Sequence, residues 1–401
     1  MKIRPECDED RLLLACTGLH LDDAGRELIG GLLGTGLDWN YIVITAYRNN
    51  IAPLVYTNLS GTGDERVPAD ALTRLREICI VNTSRNMRLS RELHRVVELC
   101  NADSLPVMLL KGMALIHLLY RDIVYRPMCD IDILIHEDDF GRFRHTMSKL
   151  GFAPNRTLPD LGGRELVEYG QYFDQVKFYN NRVKIDTHFR LLNMGVPSAD
   201  EEDVWDRARL VDMEGVPVRI PSAEDMLLHL CFHANHHHFA SVMHFCDITE
   251  TFRLFRDEID WERFLRKVQA RRMGTSIHYT LRYADALLGA GIPEWILDRL
   301  RPPTLRGKLF EFIWEKIIVA NRERLDLGNL EGPVYYLLEM DGLREKALFI
   351  RKSLFPPLCW LASYFSRPAS PNLYMRYAST MSSRLFRSIH FGAAAGGGER
   401  R

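Results

Sequence analysis

Among its 401 residues the chain has almost no net charge, no closely paired cysteines and no long apolar run, and each lack removes a class of function. Its 52 basic and 53 acidic residues leave a formal charge of −1, so no global field argues for nucleic acid as a partner. The eight cysteines (7, 16, 79, 100, 129, 231, 246 and 359) form no Cys-x-x-Cys pair and no spacing suited to a zinc site or disulfide framework. No run of about 18 apolar residues marks a membrane span, and the opening residues carry no apolar signal region. The expectation is therefore a cytoplasmic protein with reduced thiols. No GxGxxG follows a strand pattern, and no Ser/His/Asp or Cys/His nucleophile motif is present. What remains is an ordinary globular composition, 46% hydrophobic and 26% charged.

Residues 9–100 read as helical, and apolar spacing predicts one long amphipathic helix over about Asp70–Asn101. Its buried stripe is Leu75, Ile78, Val81, Met87, Leu89, Leu93, Val96 and Val97. The pattern changes at Leu105. Pro106–Leu110 reads as a short buried strand, and Lys111-Gly112-Met113-Ala114 as a turn into a helix ending near Tyr120. A second strand follows at Asp130–Ile135, then a helix carrying Phe140, Phe143, Met147 and Leu150 to a stop at Gly151. Residues 175–179 and 183–188 flank Asn180-Asn181-Arg182 as a hairpin. The fold class is α+β, a small mixed β-sheet with flanking helices between N-terminal and C-terminal helical regions. The divisions are 1–104 helical, 105–220 α/β core, 221–345 a helical domain and 346–401 a basic tail, with a low-complexity, disordered end.

Within the core, Asp130-Ile131-Asp132 carries the chemistry. Alternation puts both carboxylates on one face of a strand and Ile131, Ile133 and Ile135 on the other. Carboxylates two residues apart can converge on a hard cation; Mg²⁺ (or Mn²⁺) takes one or two of them plus substrate phosphates. Asp186, in the alternating stretch Val183–His188, is the best third carboxylate and shares a face with His188. It is also the candidate general base for an acceptor hydroxyl. Lys111 and Gly112 offer a cation and backbone N–H groups to a triphosphate. Arg126 offers a planar fork for phosphate oxygens, or else a structural ion pair with Asp122.

In that order the segments resemble the uncharacterised nucleotidyltransferase family of the polymerase-beta-like superfamily, over residues about 40–260. The matching pieces are Leu109–Gly112, Arg126–Ile135, Ile185–His188, Glu224–His229, His233, His237 and Cys246-Asp247-Ile248. The resemblance implies a small mixed sheet, a helical domain walling the cleft, and transfer of a nucleoside monophosphate from an NTP, ATP first among them. It also implies that Asp130 and Asp132 hold metal and that Asp186 completes the trio, with Lys111, Gly112, Arg126 and His188 on the nucleotide. The superfamily's Gly-Ser or Gly-Gly turn is here Gly112-Met113, so the serine hydroxyl is absent.

The acceptor is open: a small molecule, a peptide, a protein or a tRNA end, with stable nucleic-acid binding unsupported. A rival reading keeps the fold as a nucleotide-binding or regulatory module without turnover. The histidines 229, 233, 236, 237, 238 and 244 are read as helix-interior side chains bonded to backbone or lining the cleft rather than as metal ligands, and a metal-dependent phosphoesterase built on them is a third option. The basic tail is read as a helical extension packing Phe349, Leu354, Trp360, Leu361 and Tyr364 on the body. Contact with an anionic membrane surface is its alternative.

Overall fold

A computed structural model describes residues 5, 7–154, 175–192, 201–237, 239–313, 337, 340–365 and 367–382. His238, Arg384, Arg387 and the Gly- and Ala-rich end of the tail lie outside the described residues.

Helices Asp8–Ala15, Asp23–Leu32, Trp39–Arg48 and Ala52–Thr62 open the chain. Asp22 and Asp38 start two of them, accepting hydrogen bonds from backbone N–H groups of the first turn. The long helix runs Ala69–Ala102. Leu75, Leu89, Leu93, Val96 and Val97 are buried along it, whereas Val81 and Met87 are 60% and 54% exposed. The inward face at its middle holds Asn82 and Asn86 instead. Asn86 Nδ2 donates to the carbonyls of Ile123 (2.7 Å) and Arg126 (2.8 Å), so this polar break in the stripe fixes the loop leading into the second strand.

The described strands form one mixed sheet: β1 Met108–Leu110, β2 Ile131–Leu134, β3 Ala153–Pro154, β4 Gln175–Tyr179, β5 Lys184–His188, β6 Arg209–Met213 and β7 Val216–Ile220. Their order is β3-β4-β5-β2-β1-β7-β6, with β2 parallel to β5, β1 parallel to β7 and the other pairs antiparallel. Every residue of β1 and β2 is buried, so both faces at the centre of the sheet are covered. The β6–β7 hairpin went unread in the sequence. Its turn is Glu214-Gly215, both with positive φ (52° and 87°), as a two-residue hairpin turn requires, but without the usual Asn-Gly or Asp-Gly signal.

Helix Lys111–Leu115 continues as a π-helical turn, Ile116–Tyr120, which ends at Arg121 with φ 51°. Later, Ala223–His236 and Val242–Phe255 begin at Ser222 and Ser241, each side chain accepting a first-turn N–H. In the tail, helices Leu343–Leu354 and Leu358–Phe365 bury Leu361 but leave Leu354 58% exposed, contrary to the expected packing of both. Among the described residues no helix is long and apolar enough to cross a membrane.

Candidate active site

Parallel pairing of β2 with β5 aligns Asp132 with Asp186 and Leu134 with His188. Register partners on adjacent strands share a face about 4.8 Å apart. Asp130 directly precedes β2, two residues before Asp132 and so on its side. Asp130, Asp132 and Asp186 thus lie on one side of the sheet, and two lysines contact them. Lys184 Nζ donates to Asp130 Oδ2 (2.6 Å) and to Asp186 Oδ2 (3.2 Å). Lys111 Nζ donates to Asp132 Oδ1 at 2.8 Å, and His188 Nε2 lies 3.0 Å from the same oxygen.

Burial and charge work against each other here. Burial acts to raise the Asp132 carboxyl, but Lys111 and the His188 bond outweigh it and hold the group well below the usual carboxylate range. Burial, then the neighbouring Asp132 and Asp130, raise the Asp186 carboxyl against the pull of Lys184. Burial disfavours the Lys184 ammonium, and its bond to Asp130 overcomes this, leaving the ammonium more firmly protonated than a free lysine. Asp186 Oδ1 is buried without a hydrogen-bond partner among the described residues.

Lys111 sits at φ 47°, a left-handed conformation that is costly for a residue with a Cβ and is held by its surroundings. Gly112 is buried beneath Arg126 and Met128: a Cβ there would stand 2.7 Å from Arg126 Nη1 and 2.5 Å from Met128 Sδ. Met113 is in the core, so the absent serine hydroxyl is matched by a buried apolar side chain.

Arg126 is buried and pairs with Asp247, not with Asp122. Its Nε and Nη2 donate to the Asp247 carboxylate at 2.9 and 2.7 Å, and Tyr120 Oη donates to Asp247 Oδ1 at 2.8 Å. Asp122 instead accepts the backbone N–H of Val124. The bidentate acceptor comes from helix Val242–Phe255, which local sequence reading cannot anticipate. Lys184 was also missed, though it sits two residues before Asp186 on the same face and the period-2 argument reaches it.

The histidines of Ala223–His236 and Val242–Phe255 pack edge to face, with His233 centred 4.4 Å from His237 and 5.1 Å from His244. Burial first, and then repulsion from positive neighbours including Lys111, push His229 and His244 down to about 3 and His233 well below its ordinary value. These imidazoles are neutral, and His229 Nδ1 donates to Leu191 O at 2.7 Å. A cavity of about 910 Å³ between the N-terminal helices and Val242–Phe255 is lined by none of the three carboxylates. The family-matching carboxylates lie elsewhere, so the carboxylate group marks the candidate site.

A family model described as uncharacterised nucleotidyltransferase matches residues 35–289, well over half of the chain. The chain belongs to the uncharacterised nucleotidyltransferase family. No curated protein matches it. A solved structure, ANT(2")-Ia in complex with adenylyl-2"-tobramycin, is 15% identical, over 53% of this chain and 96% of that one, with a TM-score of 0.28. A score that low decides nothing further.

Nucleotidyltransferase families generally use a divalent cation, and the donors gathered here bear on that requirement. Among the described residues no group of three or more His, Cys, Asp or Glu side chains is gathered as a ready metal site. In the carboxylate group the ammonium of Lys184 stands between Asp130 and Asp186, and that of Lys111 against Asp132. The donor set nevertheless fits a hard cation, being all oxygen with one buried carboxylate oxygen unsatisfied.

Proposed function

We propose that this chain transfers a nucleoside monophosphate from an NTP, ATP first, to an acceptor hydroxyl and releases pyrophosphate. The observation that carries the reading is the register of Asp132 with Asp186 on adjacent parallel strands, with Asp130 tied to Asp186 through Lys184. Asp130, Asp132 and Asp186 would hold Mg²⁺ (or Mn²⁺), which when bound neutralises triphosphate charge and polarises the phosphoryl group.

The chain's own residues do the rest. The acceptor oxygen attacks the α-phosphorus, the bond from that phosphorus to the α,β-bridging oxygen breaks, and pyrophosphate leaves with the electron pair. The acceptor proton passes to the Asp186 carboxylate, the buried group in register with Asp132. Lys111 and the Gly112 backbone form the phosphate side, where Lys111 moves from Asp132 to the triphosphate as the nucleotide enters. Arg126, held by Asp247, supports that turn from beneath rather than touching phosphate. His188 holds Asp132 in place as Lys111 leaves it.

The test is NTP-dependent labelling of an acceptor pool, with each labelled NTP and Mg²⁺, by wild type and by Asp130→Asn/Asp132→Asn. Labelling should fall by roughly 10²–10³-fold or more, with the thermal unfolding transition retained. Labelling that survived the double change would sink the mechanism. Tight Mg-NTP binding without pyrophosphate release across a broad acceptor screen would favour the binding module instead.

A further inference from the structure

On the other side of the carboxylates from Lys111 lies a second cavity of about 350 Å³, between the Ala69–Ala102 helix and the β4–β5 turn. Arg85, Arg88, Arg182 and Lys184 line it, and no Asp or Glu does. We propose that this cavity is the acceptor subsite and that the acceptor is a small molecule carrying a phosphate monoester. The inference rests on the transfer reading above and adds the acceptor's chemical class.

Position is the first argument. Lys184 lines the cavity while its ammonium touches Asp130 and Asp186, so one side chain links the cavity to the carboxylates. In the sheet, β5 and β1 flank β2 on opposite sides, with Lys184 beginning one and Lys111 following the other. Phosphoryl transfer places the attacking and leaving oxygens roughly in line across the phosphorus. With pyrophosphate leaving toward Lys111, the acceptor enters from the Lys184 side.

Charge is the second. Arg85 is held in place by Asn82 Oδ1 (3.1 Å) and the Met128 carbonyl (3.3 Å), neither of which cancels its charge. Glu92 sits behind the wall, 3.3 Å from Arg182 and 3.0 Å from Arg95, so one carboxylate is divided between two arginines. Among the described residues nothing pairs with the exposed Arg88 guanidinium. Guanidinium forks match the oxygens of a dianionic phosphate. An open pocket of about 350 Å³ matches a small ligand in size, and a strand of nucleic acid needs a basic stripe that a chain of charge −1 does not advertise.

The experiment is calorimetry on the full chain without NTP, using ribose 5-phosphate, inorganic phosphate, ribose and a 5′-phosphorylated oligonucleotide as probes. Ribose 5-phosphate and phosphate should bind and ribose should not. Arg88→Glu should weaken ribose 5-phosphate by about ten-fold or more, and Arg88→Lys by much less. Lys111→Met should weaken Mg-ATP and leave ribose 5-phosphate within about two-fold, as independent sites do. Silence of both phosphate probes, an unchanged affinity in Arg88→Glu, or binding of the oligonucleotide alone would each overturn the proposal. The two readings also fail separately. If Mg-ATP is turned over while ribose 5-phosphate does not bind, only the subsite falls. If ribose 5-phosphate binds at Arg88 while Mg-ATP does not bind, the transfer reading falls and the cavity is no longer an acceptor subsite.

Discussion

Gly112 is where the smallest chemical change should be felt most. An added methyl would meet Met128 Sδ, at the flexible end of a side chain, and Arg126 Nη1, on a guanidinium fixed by Asp247. Gly112→Ala is expected to cost about 1–3 kcal/mol, read as a shift in urea midpoint. Adding Met128→Ala should recover only part of that loss, and complete recovery would show that Arg126 is free to move. The glycine was legible in the sequence as part of a phosphate turn, but its packing role was not, because Arg126 reaches it from another segment. The carboxylates were legible because alternation along a strand is a local property. The same alternation contains Lys184, whose role shows only once Asp130 and Asp186 are placed on either side of its ammonium. Asp247 stood among the segments that carry the family resemblance, but its pairing had no local signal, since its partner lies 121 residues earlier.

The π-helical turn Ile116–Tyr120, the loop before β2 and helix Val242–Phe255 meet at the buried carboxylate of Asp247. Its side chain is 1% exposed and that of Arg126 9%, so the pair is shielded from solvent screening. Asp247→Asn would leave a buried guanidinium without its counter-charge and should cost roughly 3–5 kcal/mol. Replacing both partners with apolar groups, Arg126→Met with Asp247→Leu, should cost less than the single change, as urea titration of the three proteins would show. A double variant weaker than the single one would mean that the pair contributes net stability. Element types were readable here because β1, β2, β4, β5 and the long helix follow simple periods. The interior of that helix misled the reading at Val81 and Met87, since Asn82 and Asn86 face inward to bind the Ile123–Arg126 loop. Tertiary demand overrode amphipathic pattern.

Across the molecule, a formal charge of −1 conceals an arginine-lined cavity and a belt of buried, neutral histidines. Far from the carboxylates, His278 donates Nδ1–H to the Leu297 carbonyl at 2.9 Å, and burial pushes it down to about 4. The unfolded chain takes up that proton near pH 6.5, whereas the folded one resists until about pH 4. The unfolded state therefore binds more protons in this window, and stability falls with falling pH by up to ~1.4 kcal/mol per pH unit per histidine. His229 and His244, pushed down to about 3, add to the same slope. Urea midpoints measured between pH 6.5 and 4.5 should fall steadily, and His278→Gln should flatten the slope by about one proton. An identical slope in the variant would remove His278 from the account.

The pairing of β1 with β7 has a consequence for how the chain is made. Met108 waits for Arg219, more than a hundred residues downstream. At about 5–20 residues per second, a ribosome leaves the apolar edge of Met108–Leu110 without that neighbour for roughly 5–20 s. An unpaired apolar strand edge is a template for other chains. Nascent chains stalled before residue 220 therefore carry a half-built sheet, and holding chaperones that cover this edge during synthesis should raise the yield of folded protein.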